Sequence, residues 1–563
     1  MFDLSKIVNA VLMSDSYKNS HYGFSPKGLT EIYSNGTPRF DYYFKEKYPE
    51  FDGKYVQFGH QYMVRMIHSM YETFFKTEKS EAIKQISDVL GPYLNETNYE
   101  RHEKLHSLGY LPIEFRSLEE GSLVNIGVPS FTVRNTHPDF AWLTNYLETI
   151  VSCELWKPMT VATVSRQFHL LSKKYSDKTC DTDIHLNFQN HDFSFRGQSS
   201  ILSDAICGTA FLTHSIGTDN IPSIPFANEF YKGKESGLVS LSISAAEHSV
   251  SCLGITLENP DDLKSGEDLF LKKVLTEYYP SGFVSYVADT YDYWGFLTEI
   301  LSDNKDLIMS RDGKLVVRPD SGDPIRVTCG YKIYDITNFE NCDDLYACVN
   351  NFICADENLA KQYHCEVLKH NNDYYIFSIV YDEDVVYDSF ELVKIEEYIA
   401  KGSIEVLYDI FGGNVNSKGY KELDSHIGLI YGDGITHHRA SEIFKRLEDK
   451  GFASNNIVYG IGSYSLNLLS RDDLGFAIKA THAIVDGKNI PIYKNPKTDT
   501  SKKSAKGYLK VNKIDNEFIL TDNVSLEESC LNSELKLIFK DGEFFNETSL
   551  KQIRDNVGFK VTI

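Results

Sequence analysis

The sequence predicts an α/β protein with a parallel sheet and with α+β character near both ends of the chain. Two observations support this prediction. From about residue 180 onward, short apolar runs end in polar or glycine residues, and several lead directly into a helix-like stretch. Before about residue 150 and after about residue 470, shorter strand-like and helical pieces are mixed, as in α+β proteins. The length of 563 residues allows at least two domains with substantial cores.

The N-terminal part, to about residue 150, predicts an α+β unit. Its strand-like pieces are LTEIYS, YVQFG and LVNIGVPSFTVRN, and its helical pieces are 61–75 and 139–151. The tail from about residue 470 returns to the same mixed character.

Strand-like runs with polar ends form the repeated part of the chain. The strand-like run FVSYVADTYD precedes the helix-like stretch YWGFLTEILSD, and KLVVRPDSGDP ends in a turn. The run IGLIYGDGI precedes the amphipathic stretch ASEIFKRLEDKGF, and the strand-like run NIVYGIGSYS follows that stretch directly. Parallel strands need long crossover connections, usually helices, so these repeats favour a parallel α/β architecture. Such folds place their chemistry at the strand tips, meaning the residues that directly follow each strand.

The segment between Asp323 and Gly432 interrupts this rhythm. Runs such as DYYIFSIVYDEDVVYDSFELVKI alternate and are rich in Tyr, Val and acidic residues, which predicts an antiparallel β insertion with short helices. Its cysteines and histidines match no zinc signature, so thiols are favoured over a metal site: Cys342, Cys348, Cys354, Cys365, His364 and His370.

Composition and charge narrow the function classes. A hydrophobic content of 42% with 24% charged residues excludes disordered and fibrous proteins. The net charge of −23 argues against a broad surface for nucleic acid or acidic membrane, so an anionic ligand needs a local basic patch. We find no signal peptide, no membrane span and no CxxC pair among the 10 scattered cysteines. We therefore expect a cytoplasmic protein with reduced thiols.

Two neighbouring tips carry glycine beside a polar side chain. They are Tyr431-Gly432-Asp433-Gly434 and Gly460-Ile461-Gly462-Ser463, and one helical stretch separates them. Glycine lets backbone N–H groups approach a phosphate closely, and the last tips of an α/β barrel often bind phosphate. Ordinary tight turns are the alternative. Two such tips separated by a single strand–helix unit favour a phosphate site.

Other tips combine acidic residues with a cation or an imidazole. Asp320 is suited to ribose hydroxyls or Mg²⁺, Arg318 to an anion or a carbonyl, and Asp289 to bound metal, although a surface ion pair is the common alternative. His248, beside Glu247, suits proton transfer or transient phosphorylation, but it also fits a packed or solvent-facing side chain.

Two segments place aromatic or cationic groups close together. Phe193 is able to stack on a flat ring while Arg196 reaches a phosphate, with core packing of Phe193 as the alternative. A basic run near the end of this acidic chain is either a solvated loop or a cover for a polyphosphate: Lys494, Lys497, Lys502, Lys503 and Lys506.

Read in order, these segments resemble the nicotinamide phosphoribosyltransferase family. The matching pieces are SDSYKNSHY, LTNYLET, HDFSFRG, GTD, SAAEHS, ADTYD, RPDSG, GDG, SRDDLGFAIKA and the KNP…SKK…KG stretch. The resemblance implies a type II phosphoribosyltransferase fold: an irregular parallel α/β barrel with a second α+β domain built from both chain ends. It also implies a homodimer with shared active sites.

The resemblance implies a domain division along the chain. Residues 1–39 would contribute to the barrel domain and the dimer interface, 40–149 and 470–563 would form the α+β domain, and 150–469 the barrel. The β-rich insertion 324–428 departs from the family pattern. Three roles for this insertion are open: it covers the mouth of the active site, it extends the dimer interface, or it binds another partner.

The implied reaction joins nicotinamide to 5-phosphoribosyl 1-pyrophosphate, giving nicotinamide mononucleotide and pyrophosphate in NAD salvage. It implies Mg²⁺ as cofactor, and ATP as phosphoryl donor to His248 with Glu247 as its neighbour. A nicotinate phosphoribosyltransferase is one alternative, and a catalytically weakened nucleotide-binding regulatory protein is another. Asp219 argues against nicotinate, because a carboxylate accepts the amide N–H₂ and repels a second carboxylate, a difference of about 1–3 kcal/mol.

The resemblance assigns roles to the remaining positions. Phe193 and Tyr17 of the partner subunit would sandwich the pyridine ring. Arg318 would contact the carboxamide or ribose, Asp320 the ribose and Mg²⁺, Asp289 the Mg²⁺ and pyrophosphate, and Ser242 and Ser285 would line the tunnel. Gly432, Asp433, Gly462 and Ser463 would surround the 5′-phosphate and ribose, and the phosphate-binding set would be Arg196, Arg39, Arg471, Lys479, Lys494 and Lys502. The side chains of Ser463 and Tyr464 replace part of the family's glycine-rich run and would narrow the phosphate site.

Overall fold

The structure is a computed structural model that describes residues 9–337, 344–382, 385–494 and 504–561. Contacts within the chain divide it into two compact units. The first unit comprises the chain up to His169, Ser194–Ser240 and the chain from Leu466, and the second comprises Leu170–Phe193 and Leu241–Ser465. The sequence-based boundaries at residues 39, 149 and 469 remain predictions.

The β-strands of the described residues are numbered in chain order. They are β1 Leu29–Thr37, β2 Lys54–Val56, β3 Ile113–Ser117, β4 Leu123–Asn125, β5 Phe131–Asn135, β6 Asn190–Asp192, β7 Gly217–Thr218, β8 Ser244–Ala245, β9 Ser281–Val287, β10 Asp312–Arg318, β11 Ile333–Asp335, β12 Glu366–His370, β13 Asp373–Asp382, β14 Val385–Ile395, β15 Gly413–Val415, β16 Lys421–Leu423, β17 Ile427–Tyr431, β18 Ile457–Ile461, β19 Ala477–Val485, β20 Lys488–Pro491, β21 Tyr508–Ile514, β22 Glu517–Val524, β23 Lys536–Lys540 and β24 Glu543–Phe544.

The α-helices of the described residues are also numbered in chain order. They are α1 Ser16–Phe24, α2 Tyr42–Lys47, α3 His60–Lys76, α4 Lys79–Leu94, α5 Glu100–Leu108, α6 Ala141–Tyr146, α7 Glu148–Thr179, α8 Ile201–Phe211, α9 Ser223–Tyr231, α10 His248–Glu258, α11 Leu263–Lys273, α12 Tyr293–Gly295, α13 Leu301–Asp303, α14 Lys305–Ser310, α15 Pro324–Cys329, α16 Leu345–Ala355, α17 Glu357–Gln362, α18 Glu397–Lys401, α19 Ser403–Phe411, α20 His437–Asp449, α21 Ser463–Leu466, α22 Leu526–Cys530 and α23 Leu550–Val557.

The first unit contains an antiparallel sheet drawn from both ends of the chain. Its strand order is β20-β19-β1-β5-β3-β23-β24. Gly36 of β1 allows this sheet to pack closely, because a Cβ there would lie 2.1 Å from Cε1 of the buried Phe131 ring. The predicted α+β structure from both chain ends is therefore confirmed.

Helix α3 covers part of the apolar interior of the first unit. Its buried residues Met63, Ile67, Tyr71 and Phe74 recur every three or four positions, which places them on one face of the helix. The helix extends the predicted span 61–75 by one residue at each end.

Parallel pairing defines the second unit. Strands β6, β18, β17, β10, β9 and β8 are neighbours in that order, and each neighbouring pair is parallel. Helices α10 and α11 connect β8 to β9, and α20 connects β17 to β18. The central residues Leu315, Val317 and Leu429 are buried, as expected when helices cover a parallel sheet. The predicted parallel α/β class is confirmed.

The insertion forms a separate small sheet within the second unit. The order is β11-β12-β13-β14, with β12, β13 and β14 antiparallel and β11 parallel to β12. Helix α16 packs on it through Val349 and Phe352, which share a buried cluster with Leu368 and Phe377. The β-rich character of the insertion is confirmed.

Two findings concern the cysteines and possible metal sites. Cys348 is disulfide-bonded, so the expectation of reduced thiols throughout is wrong at this position, whereas Cys354 and Cys365 are free. Residue spacing alone does not reveal which thiols pair.

Across the described ranges, no group of three or more His, Cys, Asp or Glu side chains is arranged to hold a metal ion.

Among the helices that the structure describes, none has the length and apolar content needed to span a bilayer.

A buried ion network crosses the sheet of the first unit. Arg134 donates to Glu31 Oε2 at 3.0 Å and to Glu114 Oε2 at 3.0 Å, and both carboxylates are buried. Burial opposes ionisation, but Arg134 and Arg116 together lower the pKa of Glu114 from its ordinary value. The native network therefore stabilises the fold above the ordinary carboxyl pKa, and this contribution is lost as the pH falls through the lowered one.

We expect Arg134→Met to destabilise the protein by about 3–5 kcal/mol at pH 7, because it leaves two buried carboxylates without their shared cation. Below the ordinary glutamate pKa the loss should shrink, since protonated carboxyls no longer need that cation. Urea unfolding at pH 7 and pH 4 measures both values. Lys540→Met is the control, because the exposed Lys540 Nζ lies 3.8 Å from Glu114; equal losses in the two variants would contradict the prediction.

Candidate active site

The predicted functional tips of the second unit meet at one edge of its sheet. Because the paired strands are parallel, their carboxyl ends all point to the same edge. The residues gathered there are Phe193 after β6, Gly462 and Ser463 after β18, Gly432 and Asp433 after β17, Arg318 and Asp320 at the end of β10, Asp289 after β9, and Glu247 and His248 after β8.

Two carboxylates converge on the imidazole at this edge. His248 Nε2 lies 3.6 Å from Asp289 Oδ1 and 3.9 Å from Asp320 Oδ2. The two acidic tips are also joined directly, because the Asp320 N–H donates to Asp289 Oδ2 at 3.0 Å. Thr290 Oγ1 lies 3.5 Å from His248 Nδ1. Both ring nitrogens therefore face oxygen atoms.

The carboxylate of Asp289 is buried and incompletely paired. Its side chain is only 4% exposed, whereas that of His248 is 45% exposed. Among the described residues, Asp289 Oδ1 has no hydrogen-bond partner, and His248 Nε2 lies 3.6 Å from it. A buried carboxylate oxygen in this state fits a bound cation. Asp289 and Asp320 thus offer oxygen ligands of the type that Mg²⁺ prefers.

Local structure sets the position of His248. It is the first residue of α10, and Glu247 is the N-cap residue, with its carboxylate accepting from the Ser249 hydroxyl. The Ala246 N–H donates to Ser285 O at 2.9 Å, which ties this tip to β9. The N-terminal turn of a helix favours negative charge, so a phosphoryl group on His248 would lie in a favourable field.

The ring of Phe193 packs against two glycine residues of neighbouring strands. A Cβ on Gly460 would lie 2.3 Å from Phe193 Cδ2, and one on Gly432 would lie 2.8 Å from Phe193 Cε2. His191 makes an edge contact with the same ring, with centroids 5.2 Å apart. The same Cβ position on Gly432 is 4.0 Å from Asp320 Oδ1. The aromatic side chain and the acidic tip thus approach the same glycine.

Hydrogen bonds join two of the candidate tips. The Tyr431 hydroxyl donates to Ser321 O and Gly322 O, each at 3.0 Å, and burial raises the pKa of Tyr431. Tyr431 therefore holds the loop that contains Asp320 while its neighbour Gly432 contacts Phe193. Arg318 Nε is buried and has no hydrogen-bond partner among the described residues, so this donor is suited to an anionic or carbonyl oxygen.

The two predicted phosphate tips differ in their surroundings. Arg439 Nη1 donates to Gly434 O at 2.5 Å, next to Gly432 and Asp433. A Cβ on Gly462 would meet no atom within 4 Å, so the backbone there faces open space. Open space beside backbone N–H groups is compatible with a phosphate ligand. Ser242 also lies in this unit, and its Oγ is 3.5 Å from His191 Nε2.

The remaining predicted residues belong to the first unit, and their part in the site stays a prediction. Tyr17 is 55% exposed on α1, Asp219 is exposed directly after β7, and Arg196 is exposed in a short 3₁₀ turn. Arg471 is exposed before β19. Lys502 lies outside the described residues.

Several predicted phosphate-binding cations are electrostatic neighbours in the first unit. Burial and the nearby cations Arg39, Lys494 and Lys18 lower the pKa of Lys479, while Glu148 opposes them. Arg39 is held in place because its Nε donates to Gly475 O at 2.9 Å. Such a group of cations binds polyphosphates favourably, because a bound anion relieves their mutual repulsion.

Sequence reasoning placed Tyr431 and Gly460 in the two phosphate tips, but it predicted neither the Tyr431 hydroxyl bonds nor the contact of Gly460 with Phe193. It gave no role to His191 or Thr290. His191 lies two positions before Phe193, so strand periodicity places both side chains on one face. Gly460 lies within the apolar run of β18, where glycine often marks a close approach. Thr290 had no signal beyond being next to a candidate residue.

Comparison with known proteins adds a family match, two relatives and one similar structure. The model of the nicotinate phosphoribosyltransferase (NAPRTase) family matches residues 188–543. A nicotinamide phosphoribosyltransferase of Acinetobacter baylyi is 36% identical over 561 residues, covering 98% of this chain and 97% of the relative. One from Mycoplasma pneumoniae is 29% identical over 511 residues, covering 88% and 94%. The crystal structure of human nicotinic acid phosphoribosyltransferase aligns with a TM-score of 0.49 and 14% identity, covering 97% of this chain and 93% of that one.

We expect Gly460→Ala to displace the Phe193 ring, because the new methyl group would lie 2.3 Å from Cδ2. Overpacking of this kind costs about 1–3 kcal/mol, and we expect the KM for a ring-stacked substrate to rise about tenfold. Steady-state kinetics and thermal unfolding measure the two effects. Gly428→Ala on β17 is the control, because the nearest atom to its methyl group would be Lys314 Cδ of a flexible side chain, at 3.3 Å; equal changes in both variants would contradict the prediction.

Proposed function

The chain belongs to the nicotinate phosphoribosyltransferase family, and on that premise we propose that it is a nicotinamide phosphoribosyltransferase. The reaction is a pentosyl transfer from 5-phosphoribosyl 1-pyrophosphate to the pyridine nitrogen of nicotinamide. Its products are nicotinamide mononucleotide and pyrophosphate, as in NAD salvage. The nicotinamide phosphoribosyltransferases of Acinetobacter baylyi and Mycoplasma pneumoniae support nicotinamide, rather than nicotinate, as the substrate.

The observation that carries the proposal is the shared contact at Gly432. A Cβ there would lie 2.8 Å from Phe193 Cε2 and 4.0 Å from Asp320 Oδ1. The reaction forms a bond between the pyridine nitrogen and ribose C1, so the ring position and the ribose position must be adjacent. Phe193 is suited to stack on the ring and Asp320 to accept from ribose hydroxyls. Their proximity supports an enzyme that joins a flat ring to a sugar.

Alignment and charge stabilisation are the main requirements of this chemistry. Departure of pyrophosphate from C1 leaves an oxocarbenium-like centre, so no strong base is needed. Asp289 and Asp320 would hold Mg²⁺, and the unpaired Asp289 Oδ1 fits that role. Bound Mg²⁺ would neutralise negative charge on the leaving pyrophosphate. Arg318 Nε is free to donate to a substrate oxygen, and Gly432, Asp433, Gly462 and Ser463 would surround the 5′-phosphate.

His248 is proposed to accept a phosphoryl group from ATP. A ring nitrogen attacks the γ-phosphorus, the new N–P bond forms, and the bond to the ADP oxygen breaks. Two observations support this role: the imidazole is half exposed, and Asp289 and Asp320 lie within 3.9 Å of Nε2. Those carboxylates would hold the ring in one orientation.

The proposal extends to the assembly and its location. We propose a cytoplasmic homodimer in which Tyr17 of the partner subunit covers the pyridine ring opposite Phe193. The exposed Tyr17 ring on α1 supports such a shared site. The cations Arg39, Arg196, Arg471, Lys479, Lys494 and Lys502 would bind phosphate groups.

The deciding experiment compares nicotinamide with nicotinate in a pyrophosphate-release assay that contains 5-phosphoribosyl 1-pyrophosphate and Mg²⁺, with product mass as the readout. Wild-type protein should strongly prefer nicotinamide. In Asp219→Asn we expect the preference to fall about 5- to 150-fold, because the amide side chain no longer repels the nicotinate carboxylate. A wild-type preference for nicotinate would overturn the substrate assignment, and an unchanged ratio in the variant would remove Asp219 from it.

We expect His248→Ala to lose more of its ATP-stimulated turnover than of its turnover without ATP. The reason is that the variant lacks the phosphoryl acceptor but keeps Phe193, Asp289 and Asp320. Rates with and without ATP measure the split, and acid-labile ³²P labelling from γ-labelled ATP reports the modification itself. Equal losses under both conditions, or undiminished labelling, would exclude the phosphohistidine role.

A further inference from the structure

The insertion leaves and re-enters the barrel at a single point. Gly330 has φ +64° and Gly402 has φ +82°. A Cβ on Gly330 would lie 2.2 Å from Ala400 O, and one on Gly402 would lie 2.1 Å from Gly330 N. The two glycines thus allow the chain segments to touch, and residues 331–337, 344–382 and 385–401 form a subdomain attached at this contact. We call these residues the insertion subdomain.

One buried side chain of the insertion subdomain binds two helices of the barrel. Glu366, the first residue of β12, is 5% exposed. Its Oε2 accepts from Arg326 Nη1 of α15 at 2.6 Å and from the Lys332 N–H at 2.8 Å. Its Oε1 accepts from Arg446 Nη2 of α20 at 2.6 Å. Burial opposes ionisation, but Arg446 and Arg326 together lower the pKa of Glu366.

Both helices begin directly after catalytic tips. Helix α15 starts two residues after Gly322, and the Asp323 carboxylate caps it by accepting from the Ile325 and Arg326 N–H groups. Helix α20 follows Gly432 and Asp433, and its first turn is tied to that tip by the bond from Arg439 Nη1 to Gly434 O. Movement of either helix therefore moves a tip.

Further contacts join these elements near Glu366. Cys329 Sγ lies 3.5 Å from Ile443 O, which links α15 to α20. Ser403, directly after the Gly330–Gly402 contact, donates to Val327 O at 2.6 Å and lies 2.6 Å from the Tyr293 hydroxyl. Tyr293 begins α12, the helix after the Asp289 tip. The base of the insertion subdomain thus contacts the helices behind three catalytic tips.

We propose that Glu366 is a positioning residue for the sugar-phosphate half of the active site. It holds α15 and α20 at a fixed separation, and so fixes the Asp320 tip relative to the Gly432–Asp433 tip. In this role the insertion subdomain is a structural part of the catalytic unit. The inference rests on the proposed function, since it takes Asp320 and Asp433 as the ribose and phosphate contacts.

The geometry predicts a selective kinetic effect. The Phe193 ring lies directly after β6 and packs against Gly460 on β18 and against Gly432, whereas Glu366 binds arginine residues of α15 and α20. Loss of the carboxylate leaves Arg326 and Arg446 without their shared anion, so the two helices are free to separate. The tips for ribose and phosphate then lose their common geometry, while most of the ring contacts remain.

The test is Glu366→Gln in the full-length protein, with KM measured separately for each substrate. We expect the KM for 5-phosphoribosyl 1-pyrophosphate to rise about tenfold, within the 2- to 30-fold range of effects carried through packed elements. The KM for nicotinamide should change by less than about twofold, because most contacts of the Phe193 ring lie outside the two helices that Glu366 binds. The conservative Glu366→Asp should restore part of the lost affinity.

Asp373→Asn is the matched control. Asp373 also carries a paired carboxylate on the insertion subdomain, 2.7 Å from Lys394 Nζ, but that pair is exposed and contacts neither helix. We expect wild-type KM values for both substrates. The double variant Glu366→Gln/Arg446→Gln should show less than the sum of the two single effects, because both substitutions remove the same contact.

Hydrogen exchange of peptides 318–323 and 432–436 gives a readout that does not depend on turnover. Glu366→Gln should speed exchange in both peptides, and Asp373→Asn in neither. An unchanged KM for 5-phosphoribosyl 1-pyrophosphate together with a lower melting temperature would overturn the proposal, because Glu366 would then only stabilise the subdomain. Absence of turnover in wild-type protein would count against the proposed function alone, and the exchange data would still decide the role of Glu366.

Discussion

Parallel pairing of the strands in the second unit is the constraint on which the candidate site depends. Strands β8, β9, β10, β17, β18 and β6 come from distant parts of the chain, yet parallel hydrogen bonding turns their carboxyl ends to one edge. Apart from Ser242, every second-unit residue with a proposed role in binding or catalysis lies on a strand of this sheet or within three residues after one. The crossover helices that parallel pairing requires also explain why a displaced helix affects a tip.

Close backbone packing then decides what the edge is able to bind. Glycine at positions 432 and 460 brings the Phe193 ring against the main chain of two neighbouring strands. The same packing places Asp320 near Gly432, so aromatic and carboxylate groups lie side by side. Adjacent sites for a flat ring and a polyol are what an N-glycosidic transfer requires, because the new bond joins the two.

Buried carboxylates show where the fold serves stability and where it serves binding. Glu114 and Glu366 are buried among arginine residues, and every such pairing offsets the cost of removing charge from water. Asp289 is similarly buried, but its Oδ1 has no hydrogen-bond donor among the described residues, and the imidazole of His248 lies 3.6 Å away. An incompletely paired buried charge is costly, so its presence at the edge with the candidate site is consistent with a ligand that completes it.

The sequence alone determined the features that local patterns encode. Apolar runs with polar ends identified the parallel strands and their tips, and alternation in DYYIFSIVYD identified the β-rich insertion. Tertiary structure decided which distant groups meet: Asp289 with His248, Gly460 with Phe193, and Glu366 with Arg446, 80 residues away in the chain. It also decided that Cys348 forms a disulfide bond. The physical reason is that periodicity reports the backbone within one element, whereas contacts between elements depend on strand order and packing, which no local pattern contains.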